Sequence, residues 1–201
     1  EALTKATNRA TRQIPLRPNA VHPLTRHNLG DNTGRGVPII DYDVTTGDYV
    51  ELTAAPKGAG SENVSALVML TPIAGIKGIK SFVVETVIAA GAKPCPPTVI
   101  GVGIGGKTDL AMKLARMASL RPLDRRHPEK EFAQLEEELL EMVNATGIGP
   151  MGLGGKCTAL GVNVEYAYSH TASLPVGISM QCWANRRARA RIHKDGCVEY
   201  L

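Results

Sequence analysis

The sequence predicts a mixed α+β fold in which mixed sheets are covered by helices. First, 43% hydrophobic and 21% charged residues in a chain of 201 are typical of a globular protein with a buried core. Second, 21 glycines and 13 prolines beside only 4% aromatic residues favour a turn-rich fold over a helical bundle. Third, segments with helical and with strand periodicity alternate irregularly along the chain. We expect one domain over residues 1–201.

Charge and hydropathy patterns exclude several classes of protein. No apolar run reaches the roughly 18 residues of a membrane span. The formal net charge is +4, and much of the excess lies in Arg186–Lys194. We interpret this run as a solvated edge strand with Arg187, Arg189 and Arg191 on one face. Scarce aromatic residues argue against nucleic-acid binding, so a partner subunit or an anionic substrate is favoured.

The chain start gives a further expectation. The first residue is Glu1, and the opening residues do not resemble a signal peptide. We therefore expect a cytoplasmic protein whose sequence here is cut from a longer chain.

Turn residues and periodicity assign the elements of the first half. Gly91 is typical of a helix C-terminus, and Thr46–Gly47 is typical of a turn. The predicted elements are a helix over 1–13 that stops near Pro15, a loop over 16–36, strands over 37–44 and 48–55, a glycine-bearing loop over 56–63, and a helix over 77–91 with a buried stripe of Ile79, Phe82, Val83, Val87 and Ala90.

The second half has the clearest helix, over 128–147, because Pro128 suits a first turn and an apolar stripe follows it. The stripe consists of Phe132, Leu135, Leu139 and Met142, and the acidic positions are predicted to face solvent. The other predicted elements are a buried strand over 98–102, a helix over 107–120, and strands over 157–168, 174–184, 187–193 and 197–201.

The stretch KPCPPTVIGVGIGGKTD, residues 93–109, contains the first candidate site. Its Gly101–Thr108 segment fits the P-loop pattern, with Lys107 as the phosphate-binding cation. A P-loop enzyme also needs an acidic residue at the end of a second apolar strand. Glu165 lies inside a strand, and Pro38 interrupts the run before Asp41. Nucleotide binding remains a hypothesis, and the helix N-terminus could instead receive a substrate carboxylate.

Five stretches together resemble one family. They are APKGAGSENVSAL, KPCPPTVIGVGIGGKTD, LRPLDRRHP, GIGPMGLGGK and SHTASLPVGISMQCWANRRA. In this order they resemble the alpha subunit of the iron–sulfur (class I) fumarate hydratases and of the related tartrate dehydratases, from about Arg17 to the C-terminus. GSENVSAL resembles the fumarate hydratase version more closely. The resemblance implies one hydro-lyase catalytic domain, lacking its N-terminal part, that interconverts fumarate and malate by reversible water addition.

The resemblance also implies a 4Fe–4S cluster that is held by three cysteines. Cys95 and Cys182 match two of these ligands, and the third belongs to a CQDTG-type motif that is absent here. Cys157 and Cys197 fall at positions that the family does not use, so they are expected to be inert thiols. Thiolates suit iron–sulfur clusters, and a cluster iron without cysteine can act as a Lewis acid. This fragment alone should not hold a complete cluster.

The same resemblance assigns the remaining site residues. Arg17, Gly60 and Asn63 match substrate-binding positions, where a planar guanidinium grips a carboxylate. His170, with an aspartate of the missing motif, is implied to handle the proton of the departing hydroxyl. The C–H proton is implied to be handled by a beta subunit, so the expected partners are that subunit, a small dicarboxylate and further copies. Single-chain relatives carry a cysteine where this chain has Leu174, which is not a ligand position.

Three classes of function therefore remain open at this point. They are an iron–sulfur hydro-lyase subunit for fumarate or tartrate, a P-loop nucleotide-binding protein, and a non-catalytic subunit whose arginine strand docks a partner.

Overall fold

The computed structural model describes residues 1–14 and 16–201, which divide into two compact units, 1–48 and 49–201. The predicted helix stop at Pro15 lies outside the described residues. A single catalytic domain over residues 1–201 stays a prediction.

The first unit contains helix α1 (Ala2–Gln13), as predicted, followed by irregular chain. The Asn32 side chain accepts a hydrogen bond from the Asn19 N–H (2.8 Å) and donates one to the Arg17 carbonyl (3.1 Å). The strand predicted over 37–44 was wrong, since the structure has no strand there. Ile39 is 77% exposed, and Pro38 removes a ladder donor, so the run does not extend the isolated bridge between Gly34 and Val37 into a strand.

The second unit contains four helices and seven strands among its described residues, which confirms the α+β class. In chain order these elements are β1 (Val50–Ala54), α2 (Ala59–Glu62), β2 (Ala66–Leu70), α3 (Gly75–Ala90), β3 (Thr98–Gly105), α4 (Thr108–Leu120), α5 (Lys130–Ala145), β4 (Ala159–Ala167), β5 (Leu174–Gln181), β6 (Ala188–Ile192) and β7 (Val198–Tyr200). The sequence patterns missed α2 and β2.

The main sheet has the strand order β2-β5-β3-β4. Strands β3 and β4 are parallel, while β5 runs antiparallel to both β3 and β2. One face packs against α3 and α5, and the other packs against α4. The core on the first face consists mainly of branched residues of the strands and helices, among them Val83, Ile100, Val102, Leu139, Val162 and Val164.

Glycines on the opposite face of the sheet let α4 approach closely. A Cβ at Gly101 would clash with the Ala115 carbonyl, and one at Gly103 would clash with the Ala111 carbonyl. Gly177 on β5 also lies against Ala111, where a Cβ would be 2.8 Å from the carbonyl oxygen. The glycines of this stretch therefore have a packing role.

Helix α5 shows one departure from its prediction. Its Leu135 and Leu139 are buried, but so is Glu136, which is 0% exposed, although the acidic positions were expected to face solvent. The Glu136 carboxylate pairs with the Arg121 guanidinium and accepts hydrogen bonds from the N–H groups of Val164 (2.8 Å) and His127 (3.1 Å). A buried carboxylate is stable only with such partners.

The smaller sheet has the order β1-β6-β7, so the arginine strand β6 is central and the edge-strand prediction was wrong. Its charges are neutralised within the sheet, since Arg189 pairs with Glu51 and Arg191 contacts both Glu51 (3.3 Å) and Glu199 (3.4 Å). The hydrogen bond from Arg189 is the main cause that lowers the pKa of Glu51, and Arg191 adds to it. Arg187 donates to the Leu120 carbonyl (2.6 Å).

Candidate functional site

Cys95 lies in a tight turn that leads into β3. Its N–H donates to the Ala92 carbonyl (3.0 Å), and its φ of 56° lies in the left-handed region. A residue with a Cβ adopts that region at a cost of about 1–2 kcal/mol, which the surrounding contacts must offset. The thiol is exposed. Such local strain at an exposed thiol is typical of a functional position.

Cys182 follows directly after β5, at the same end of the sheet. Gln181, the last residue of β5, pairs with Val99 at the start of β3. The Cys182 segment also contacts the Cys95 turn directly, because the Trp183 N–H donates to the Cys95 carbonyl (3.2 Å). Cys182 is half-buried, and both cysteines are free thiols. The structure therefore brings the two predicted ligand positions to one end of the main sheet, which we call the cysteine end.

A glycine-rich loop, residues 147–155, supports the turn that carries Cys95. The Met151 N–H donates to the Pro96 carbonyl (2.8 Å), and a Cβ at Gly152 would lie 2.6 Å from the Ala92 Cβ. From the sequence this stretch, GIGPMGLGGK, counted only as one of the five family motifs. Its density of glycines was the signal, because glycine permits such a close approach of two backbones.

Gly60 and Asn63 belong to the glycine turn, which we define as residues 58–63. A Cβ at Gly60 would lie 2.5 Å from the carbonyl oxygen of Lys93, two residues before Cys95. Asn63 ends α2, where its N–H donates to the Ala59 carbonyl (2.8 Å) and its side chain is exposed. Since α2 also packs against β5, the glycine turn lies at the cysteine end of the sheet.

His170 lies at the other end of the sheet. It sits between β4 and β5, and the last β4 residue, Ala167, pairs with Gly105 at the far end of β3. Because a strand rises about 3.3 Å per residue, β5 separates His170 from Cys182 by roughly 23 Å. Within one chain the structure does not bring these two residues together.

The ring of His170 has a defined orientation. Its Nδ1 accepts a hydrogen bond from the Ala172 N–H (3.1 Å). The neutral ring therefore carries its proton on Nε2, and that exposed nitrogen is the one that could exchange a proton with another molecule.

Arg17 belongs to the first unit, where its side chain is exposed and its carbonyl accepts the hydrogen bond from Asn32. Its relation to the cysteines stays a prediction.

The donor set fits an iron–sulfur cluster in part. Cys95 and Cys182 offer two soft thiolates on linked backbones, which suit iron. In residues 1–14 and 16–201 no group of three or more His, Cys, Asp and Glu side chains is arranged to hold a metal ion. Cys157 also lies near the cysteine end, but its thiol contacts the Ala159 carbonyl (3.7 Å), and Cys197 is exposed beside β7. A third ligand is thus missing from the described part of the chain.

The geometry contradicts the P-loop hypothesis. A phosphate-cradling loop needs the residues between its glycines to leave the strand and wrap the anion with their N–H groups. Here Thr98–Gly105 is a continuous strand, so Gly101 lies inside it and only Gly106 and Lys107 separate β3 from α4. The N–H groups of this segment pair within the sheet, which leaves no cradle.

No helix in the part of the chain that the structure describes is both long and apolar enough to cross a membrane.

Comparisons with known proteins found a matching family model and similar sequences. A family model described as "Fumarate hydratase (Fumerase)" matches residues 1–191. A Methanocaldococcus jannaschii protein named "Putative L(+)-tartrate dehydratase subunit alpha" is 56% identical over 197 residues, which are 97% of this chain and 69% of that protein. An Escherichia coli (strain UTI89 / UPEC) protein named "L(+)-tartrate dehydratase subunit alpha" is 39% identical over 200 residues, which are 99% of this chain and 66% of that protein. The chain therefore spans about two thirds of these relatives.

Proposed function

Because the chain belongs to the fumarate hydratase (Fumerase) family, we propose that it is the alpha subunit of an iron–sulfur hydro-lyase that interconverts fumarate and malate. The reaction adds or removes water at a carbon–oxygen bond. The observation that carries the proposal is that Cys95 and Cys182 lie at the same end of the main sheet. Their segments are joined there by the hydrogen bond from the Trp183 N–H to the Cys95 carbonyl.

Cys95 and Cys182 would hold two of the three cysteine-bound irons of a 4Fe–4S cluster. The third thiolate would come from a segment that is not among these 201 residues. When bound, the cluster supplies a Lewis acid for the hydroxyl group, whose poor leaving ability is the main barrier of the reaction. The tight turn at Cys95 and the supporting loop 147–155 would keep the Cys95 side chain in place before the cluster binds.

The dicarboxylate would be gripped by donors of this chain. Gly60 and Asn63 lie at the cysteine end, where a backbone N–H and a side-chain amide can hydrogen-bond a carboxylate. Arg17 would bind the second carboxylate through its planar fork of N–H donors.

His170 would hold the proton that leaves with the hydroxyl group, through its Nε2 atom. Since β5 places it about 23 Å from Cys182 of the same chain, this role requires that the histidine serve a cluster in a second copy. The proposal thereby includes a homo-oligomer in which each site uses two copies of the chain.

A beta subunit is the other proposed partner. The relatives are named as alpha subunits, and we transfer to this chain the arrangement that the name implies. The beta subunit would supply the group that handles the C–H proton. The free thiols suit a reducing compartment, which agrees with the proposed cytoplasmic location.

L(+)-tartrate is a second candidate substrate. It is favoured by the names of the relatives that are 56% and 39% identical to this chain. Tartrate dehydration would use the same Lewis acid and the same two carboxylate contacts, so the substrate would differ while the mechanism stays the same.

The test is turnover of fumarate and of L(+)-tartrate by the full-length alpha chain, reconstituted anaerobically with a beta subunit. We expect oxygen-sensitive activity that Cys95→Ser and Cys182→Ser abolish. Cys157→Ser and Cys197→Ser are the matched controls and should leave turnover within about twofold of the wild type, because surface or peripheral changes have small effects. Turnover that survives both ligand substitutions would overturn the proposal.

A further inference from the structure

Lys57 connects the glycine turn to strand β5. Its Nζ lies 2.6 Å from the Glu62 carboxylate and donates a hydrogen bond to the Ser179 hydroxyl at 3.3 Å. The Lys57 side chain is only 18% exposed, and Ser179 is fully buried. The charge of a largely buried lysine must be stabilised by polar partners, so Glu62 and Ser179 fix the position of the ammonium group.

The two partners of Lys57 stand next to predicted site residues. Ser179 lies three residues before Cys182 on β5, and Glu62 is adjacent to Asn63. On its other side the turn is held at Gly60, where the Lys93 carbonyl leaves no room for a side chain. The glycine turn is thus clamped between the strand that leads to one cysteine and the segment that leads to the other.

We propose that Lys57 is a positioning residue, which holds the glycine turn against β5 and so keeps Gly60 and Asn63 aligned with Cys182. The catalytic consequence rests on the proposed function of this site, whereas the mechanical role of Lys57 does not.

The contacts predict an order of effects. Loss of the Lys57 ammonium leaves the buried Ser179 hydroxyl without its donor, which is costly. Loss of the Glu62 carboxylate is milder, because that side chain is 54% exposed and Lys57 keeps Ser179. Lys57→Met should therefore loosen the turn more than Glu62→Gln does, and Lys57→Arg should preserve most of the clamp.

The experiment is hydrogen–deuterium exchange of the reconstituted alpha–beta enzyme, followed by mass spectrometry of peptides that cover 58–63. We expect exchange in this turn to rise about tenfold in Lys57→Met and to stay near the wild-type rate in Lys57→Arg. Lys80→Met is the matched control, since Lys80 makes a comparable 2.6 Å ion pair with Glu138 between α3 and α5. It should leave the turn unchanged.

Steady-state kinetics on the same variants test the catalytic part. We expect KM for the dicarboxylate to rise about tenfold in Lys57→Met, while the electron paramagnetic resonance signal of the chemically reduced cluster stays at wild-type intensity. Unchanged exchange in the turn would overturn the positioning role. Increased exchange with an unchanged KM would overturn its link to substrate binding. Increased exchange in an enzyme whose wild type turns over neither dicarboxylate would contradict the proposed function and leave the clamp standing.

Discussion

The peptide N–H of Trp183 donates a hydrogen bond of 3.2 Å to the carbonyl oxygen of Cys95, and this one bond joins the two predicted ligand segments. Behind it, β3 and β5 pair from Val99 and Gln181 onward. The spacing of the cysteines is therefore set by the most buried strands of the protein. A site built on rigid strands keeps its ligands in place better than a site built on loops alone.

The backbone of Cys95 predicts an unusual order of stabilities. Its φ of 56° is costly for any residue with a Cβ, so Cys95→Gly should be more stable than Cys95→Ala by about 1 kcal/mol. Both variants should lose the cluster. Chemical denaturation of the alpha chain measures the difference in the free energy of unfolding.

Cys182 is the control for this prediction, because it is not among the residues with positive φ. There glycine adds only conformational entropy to the unfolded chain, so Cys182→Gly should be less stable than Cys182→Ala. If Cys95→Ala is more stable than Cys95→Gly, which is the order expected at Cys182, the Cys95 backbone is not strained.

The position of His170 predicts complementation between two inactive variants. Neither Cys95→Ser nor His170→Asn should turn over the substrate alone. When both chains are coexpressed in equal amounts, mixed dimers contain one site with both native residues, so activity should return to about a quarter of the wild-type value. The measurement is turnover of the purified mixed enzyme. A mixture as inactive as its parents would contradict a site shared between copies.

The sequence predicted helices and buried strands best where an apolar stripe covers one face. Helix α3 was predicted over 77–91 and is observed over Gly75–Ala90. The agreement is close because Ile79, Val83 and Val87 mark its buried face and Gly91 ends it. Strand β2 was missed because its five residues show no polar alternation that would distinguish it from the neighbouring loop.

Long-range relationships were beyond the sequence patterns. His170 and Cys182 are twelve residues apart, which suggests proximity, yet most of those residues form the extended strand β5. The burial of Glu136 was also unpredictable, since its partner Arg121 reaches it from the end of another helix. Both outcomes depend on tertiary packing that no local pattern encodes.

The glycines of β3 give a prediction about the packing of α4 against the sheet. Gly103→Ala places a Cβ against the Ala111 carbonyl and forces α4 away from the sheet, so it should destabilise the protein by about 1–3 kcal/mol or more. Gly58→Ala is the control, since its φ is −78° and the nearest atom to a new Cβ is 4.0 Å away. Thermal unfolding compares the two. Equal melting temperatures would contradict the close packing of α4.

The ion-paired face of the smaller sheet predicts an acid-sensitive contribution to stability. The hydrogen bond from Arg189 lowers the pKa of Glu51 below its ordinary value of 4.5, so the folded state favours the ionised carboxylate. The contribution of this group is therefore complete above pH 4.5 and is lost as the pH falls through the lowered pKa of the folded state. The melting temperature of Glu51→Gln should lie below that of the wild type at neutral pH, and the gap should narrow as the pH falls below 4.5. Glu137→Gln, at an exposed position in the middle of α5, serves as the control and should show no such gap. A gap for Glu51→Gln that stays constant down to strongly acidic pH would mean that the carboxylate charge does not stabilise this sheet.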